Sequence, residues 1–180
     1  MSAPITVPNA PTVLRSHEKS QPAGKESVAA ILKRSMADLI AGWLTRAKKT
    51  SQLNHLDLSD EERTGHLPKL IDDLVARLGK PKLPDKDSDA IASPAAIEHG
   101  KLRQKQGYSA GMLIHESRIL QVAIFGTLHE NVSTLDFGLL LPDIMIIADE
   151  VDAQLTQTME SFNIAAAPKS AKAYLVNPKV

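Results

Sequence analysis

The stretch AGMLIHESRILQVAIFGTLHE, residues 110–130, is apolar on nearly every side of a helix, yet one side carries a carboxylate. Met112, Glu116, Ile119, Leu120 and Ala123 step by three and four, so they share a face. A helix that is apolar around its whole circumference needs other helices around it. A carboxylate buried there without a partner costs several kcal/mol, so it must protonate or meet a cation. The segment before it supplies the candidates. Ala96, His99, Gly100, Arg103 and Gly107 also fall on one side of a helix. We expect a buried or half-buried Arg103–Glu116 pair with His99 beside it, and Gly100 allowing two helices to approach closely. Such a cluster either fixes the register of the helices or lines a small sensing pocket.

The rest of the chain offers the surrounding helices. Lys25–Lys49 carries an apolar stripe from Val28 to Ala47 at helical spacing, with the single Trp, Trp43, placed for the core. Leu58–Lys80 opens with Ser59 and Glu62, the spacing of a capping box, and three acids in its first turn. Pro68 starts or kinks its main run, with a bend at Gly65 to Leu67, and Gly79 and Pro81 end it. A polar loop follows to about residue 92. Ser93-Pro94 then reads as N-cap and first helical position of a third helix reaching about Gln106. Gly107 breaks the chain there, and Ser109 caps the fourth helix, 110–130. The fifth is expected over Pro142–Phe162, with Ile147, Val151 and Phe162 in its stripe.

No segment alternates as a strand would. Aromatic residues make up only 3% of the 180-residue chain, which favours an aliphatic helical core over a sheet. The expected fold is all-α, a single-domain bundle of five or six helices over residues 25–163. Residues 1–24 read as a flexible arm and 164–180 as a tail.

Several function classes lack their residues. There is no cysteine, hence no disulfide, thiolate nucleophile or cysteine metal site. His17, His55, His66, His99, His115 and His129 are scattered without metal-ligand spacing. No Gly-rich phosphate loop, nucleophile elbow or basic aromatic-bearing patch occurs. We therefore expect no enzyme, no cofactor, no metal and no nucleic-acid partner. No apolar run approaches the roughly 20 residues of a membrane span, and the N-terminus lacks a signal pattern, so a cytoplasmic location is expected. Net charge is zero but uneven: Met1–Thr50 holds eight Lys/Arg and three acids, and Ile119–Pro168 holds seven acids and no Lys or Arg. Opposite ends of that kind can attract each other within one subunit or between two, and a homodimer is one expectation.

Residues 58–162 resemble the RsbRD-type N-terminal sensor domain, a helical module found ahead of bacterial histidine kinases and stress regulators. The resemblance is carried by the 58–78 helix, His99-Gly100, Arg103, Gly107-Tyr108 and Glu116, followed by an apolar helix. The first helix fits as well, extending it to about 25–163. Ser117 and Gln121 depart from the pattern, which has an aromatic and an Arg there. The resemblance implies a non-catalytic domain in two-component or stress-response signalling that docks on a kinase or regulator. His99, Arg103 and Glu116 are then its polar core or sensing residues, supported by Gly100, Gly107 and Tyr108. Two other classes stay open: a histidine phosphotransfer protein accepting at His99 or His115, and a globin-related ligand-binding bundle. Phosphotransfer requires a solvent-exposed imidazole.

Overall fold

The structure, a computed structural model, describes residues 25–80 and 92–167. The arm at 1–24, most of the loop after Lys80 with Pro81, and the tail beyond 167 lie outside the described residues. The remainder is all-α. Its helices are α1 (Val28–Arg34), α2 (Met36–Lys49), α3 (Ser51–Asn54), α4 (Asp60–Thr64), α5 (Leu67–Leu78), α6 (Pro94–Lys105), α7 (Ala110–Glu130) and α8 (Phe137–Ala166). Among the described residues the one extended pairing is a parallel bridge between Glu26 and Leu135, which ties the start of α1 to the α7–α8 link.

The five-helix framework is recognisable, with interruptions that local chemistry explains. The first helix is two abutting segments rather than one. Ser35, at φ −97° and ψ 12°, breaks the run. Serine competes with the helix for local hydrogen bonds, and its hydroxyl accepts from Arg34 Nη1 at 3.2 Å. Its own N–H still donates to Ile31 and its carbonyl accepts from Leu39, so α1 and α2 stay in contact end to end. The second helix divides into α4 and α5 at Gly65-His66, just before Pro68. Ser59 and Glu62 form the reciprocal capping box at the start of α4.

Ser93 caps α6 by accepting from Ala96 N at 3.0 Å. Gly107 then takes φ +79°, the sole positive φ among the described residues, and turns the chain into α7. A side chain there would be strained in that left-handed conformation. The last helix begins earlier than expected, at Phe137 rather than Pro142. Asp136 caps it by accepting from Gly138 N at 2.9 Å. Pro142 inside the helix removes a single backbone donor in the second turn, which the cap offsets. α8 also runs to Ala166, so the domain boundary expected at 163 falls inside its final turn.

α7 is the central helix, packed by α1, α2 and α8. Around it Trp43, Ile31, Leu32, Leu39, Leu113, Ile124 and Ile147 are buried, and Trp43 takes the core position read from its stripe. α6 lies along the C-terminal half of α8. Thr158 Oγ1 donates to Ala96 O at 3.1 Å. A Cβ on Gly100 would collide with Thr158 O and Ser161 Oγ and come within 3.0 Å of Phe162 N, so only glycine permits this crossing.

Candidate functional site

The carboxylate of Glu116 sits where α4, α5, α6 and α7 converge, only 2% exposed. Arg103, at 0% exposed, faces it from α6. Two of its nitrogens engage the two carboxylate oxygens: Nη2 donates to Oε1 at 2.8 Å and Nε to Oε2 at 3.1 Å. This is the bidentate fork that makes arginine–carboxylate pairs both strong and directional. His99 Nε2 lies 3.1 Å from Oε2 and donates to it, since an ionised carboxylate only accepts. Tyr108 OH donates to Oε1 at 2.9 Å. Glu116 thus accepts four hydrogen bonds, close to the capacity of a carboxylate.

The guanidinium is equally saturated, and its remaining donors show why it stands there. α4 ends at Thr64, which leaves carbonyls of its last turn without helical partners. Arg103 Nη1 donates to Glu62 O at 3.0 Å and Nη2 to Arg63 O at 2.8 Å. A cation at a helix C-terminus also complements the helix dipole. Nη1 further donates to Gln106 Oε1 at 2.6 Å, and the guanidinium carbon lies 4.6 Å from the centre of the Tyr108 ring. Arg103 therefore closes α4 and neutralises α7 at once. A second buried arginine, Arg63, does similar work nearby by donating to the carbonyls of Leu53, Leu56 and Leu58.

His66 completes the cluster. It stands at the break between α4 and α5, and its Nδ1 lies 3.2 Å from Arg103 Nη2. That nitrogen accepts, so the ring proton is on Nε2. The ring stacks on His99 with centroids 4.0 Å apart and planes 15° apart, and meets the Trp43 ring edge-on at 6.1 Å. Trp43 in turn donates its indole N–H to Glu116 O at 3.3 Å. Among the described residues no buried side-chain nitrogen or oxygen lacks a hydrogen-bond partner.

The electrostatics follow from this geometry. Burial pushes the Glu116 carboxyl up, but the His99 hydrogen bond, the Arg103 charge and the Tyr108 hydroxyl together outweigh it and hold the group below its usual range. Burial first, then the neighbouring His99 and Arg103, drives His66 well below the ordinary histidine value, so it stays neutral. Burial and the Glu116 charge raise the Tyr108 phenol, which remains a hydrogen-bond donor.

A metal ion is the obvious rival occupant. His66, His99 and Glu116 each offer a ligand atom within 4.8 Å of the others, and three protein ligands are what many catalytic metals take. The guanidinium already fills that role. It holds both carboxylate oxygens and lies 3.2 Å from His66 Nδ1 and 3.2 Å from His99 Nε2. A divalent cation would compete for the carboxylate oxygens and need His99 Nε2 to give up its proton, beside a fixed positive charge. The residues fit a resident arginine better than a metal.

Every residue expected in the polar core is therefore placed. His99, Arg103 and Glu116 meet, Tyr108 joins them, and Gly100 and Gly107 shape the backbone around them. The spacing of single helices does not reveal His66, which lies more than 30 residues from Arg103 and His99. Its signal is indirect: a histidine at the bend before Pro68, beside a helix end whose carbonyls need a donor. A cavity of about 30 Å³ adjoins the cluster, lined by Trp43, His66, His99, Glu116, Ser117 and Gln154 among others, with room for about one water. His115 is half-buried on α7, whereas His55 and His129 are exposed.

No protein-family model, curated protein or solved structure matches the chain. No helix among the described residues is long and apolar enough to cross a membrane.

Proposed function

We propose that this chain is a non-catalytic, cytoplasmic signalling domain of the RsbRD N-terminal type, acting in two-component or stress-response regulation. It works by docking on a kinase or regulator, as a homodimer. One observation carries the reading: the polar groups of the cluster are spent on one another and on the ends of helices. Glu116 accepts four bonds and Arg103 uses its donors on α4, α6 and α7, so neither group is left to face the cleft of about 300 Å³ that His66 and His99 border. A catalytic centre instead leaves a nucleophile or base free of such partners. A saturated junction between four helices is suited to setting their relative positions, which is what a signal relay needs. The burial of His99, 7% exposed, speaks against it as a phosphoryl acceptor.

The test is capture of partners from a lysate of the native cell, with wild type and with Glu116→Gln and Arg103→Lys variants whose folding is checked by circular dichroism. Wild type is expected to retain a kinase or stress regulator identified by mass spectrometry, and folded variants to lose it. Retention of no such protein, or equal retention by every folded variant, refutes the reading.

A further inference from the structure

We infer that the outer face of the α7–α8 hairpin is a self-complementary surface that pairs with a second copy of this chain. Eight large apolar side chains are conspicuously exposed, and all but Leu102 stand on α7, α8 or the link between them. Leu141 is 69% exposed, Met145 68%, Phe137 57% and Ile114 52%. These are not scattered. Phe137, Leu141 and Met145 repeat every four residues and form one line along α8. Ile114 and Val122 share a line on α7, eight residues apart. α7 and α8 pack against each other, and the inferred surface joins their two exposed lines. Contiguous apolar surface of this kind marks an interaction site.

The charges along these lines identify the occupant. Arg118 stands between Ile114 and Val122, exposed, with no ion pair or hydrogen bond from its side chain to any described residue. On α8 the line through Leu141 and Met145 continues into Asp149 and Asp152, both exposed, and α8 contains no Lys or Arg. Neither aspartate side chain has an ion-pair partner among the described residues. The hairpin thus offers an unpaired cation on one helix and unpaired anions on the other, each next to exposed apolar side chains. A two-fold interface uses the same patch twice, so each Arg118 meets the partner's acids and each apolar line meets the partner's line. A membrane surface would call for cations along the apolar line of α8, which has none.

This inference names the surface for the homodimer proposed above. Its test leaves Glu116 and Arg103 untouched, so it fails separately from the signalling reading. The full chain is examined by sedimentation velocity over a range of micromolar concentrations. Wild type is expected to dimerise. Leu141→Asp, at an exposed site, is expected to be monomeric with an unchanged circular dichroism spectrum. Arg118→Asp is expected to weaken association about tenfold or more, and adding Asp149→Arg and Asp152→Arg to recover it. A monomeric wild type, a dimer that Leu141→Asp leaves intact, or charge reversal without effect overturns the proposal.

Discussion

Replacing Glu116 by glutamine changes one heavy atom and removes one charge, which makes it a sharp test of the polar centre. In the wild type two arginine nitrogens, a histidine nitrogen and a tyrosine hydroxyl all donate to this carboxylate. A glutamine keeps one acceptor oxygen. Placed at Oε1, that oxygen still serves Arg103 Nη2 and Tyr108. The new NH2 group then points at Arg103 Nε and His99 Nε2, where it meets an arginine donor and forces His99 to change tautomer. Arg103 remains charged and fully buried, without its counter-charge. Breaking a buried pair in this way costs about 3–5 kcal/mol, a large share of the roughly 5–15 kcal/mol that holds a domain together. Urea unfolding at pH 7 measures it, followed by far-UV circular dichroism and by the fluorescence of the single Trp43, which is bonded to the Glu116 carbonyl. Arg103→Met and the double variant complete a cycle, and the coupling between the two positions is expected at about 2 kcal/mol or more. The double variant does not return to wild-type stability, because the carbonyls of Glu62 and Arg63 are left without their donor. A Glu116→Gln cost below about 1 kcal/mol, or additive single variants, refutes the view that this pair is buried and coupled.

Acid is expected to destabilise the fold in two steps. His66 has its folded pKa depressed below the ordinary histidine value of 6.5, so the unfolded chain binds its proton first and stability falls as pH drops below about 6.5. The slope from this one group reaches at most about 1.4 kcal/mol per pH unit, and His66→Asn, which retains an acceptor for Arg103, is expected to remove it in pH-dependent urea titrations. Glu116 is also depressed, so its contribution is present above 4.5 and is lost further into the acid range. At Gly100 an alanine would drive its methyl into the backbone of α8, and Gly100→Ala is expected to lower stability by about 1–3 kcal/mol or more; thermal unfolding indistinguishable from wild type contradicts the close crossing.

The sequence makes the pairing of Arg103 with Glu116 legible for a simple reason. A carboxylate in an apolar stripe demands a cation, and the preceding helix has one at the right turn. Caps were equally readable, since Ser59, Ser93 and Ser109 act through neighbours three residues away. What local pattern did not contain was partnership across the α4–α5 break. Arg103 is held as much by the carbonyls of Glu62 and Arg63 as by Glu116, and those carbonyls become available only because α4 ends at Thr64. His66 enters the cluster by the same break. Helix ends resisted reading where a polar side chain altered them: Ser35 divides the first helix, and Asp136 starts α8 ahead of Pro142.

The double role of Arg103 has a mechanical consequence. Its bonds to other helices divide into two groups, one to Glu116 on α7 and one to the end of α4, while its own helix is clamped to α8 at Gly100. Protonating or displacing Glu116 cancels only the first group. α4 and α6 stay fastened to each other, and α6 stays fastened to α8. The easiest partial opening therefore runs between α7 and the α4–α6 side. Hydrogen exchange would register it as early loss of protection around Glu116, with α4 and the α6–α8 crossing exchanging only on wider unfolding.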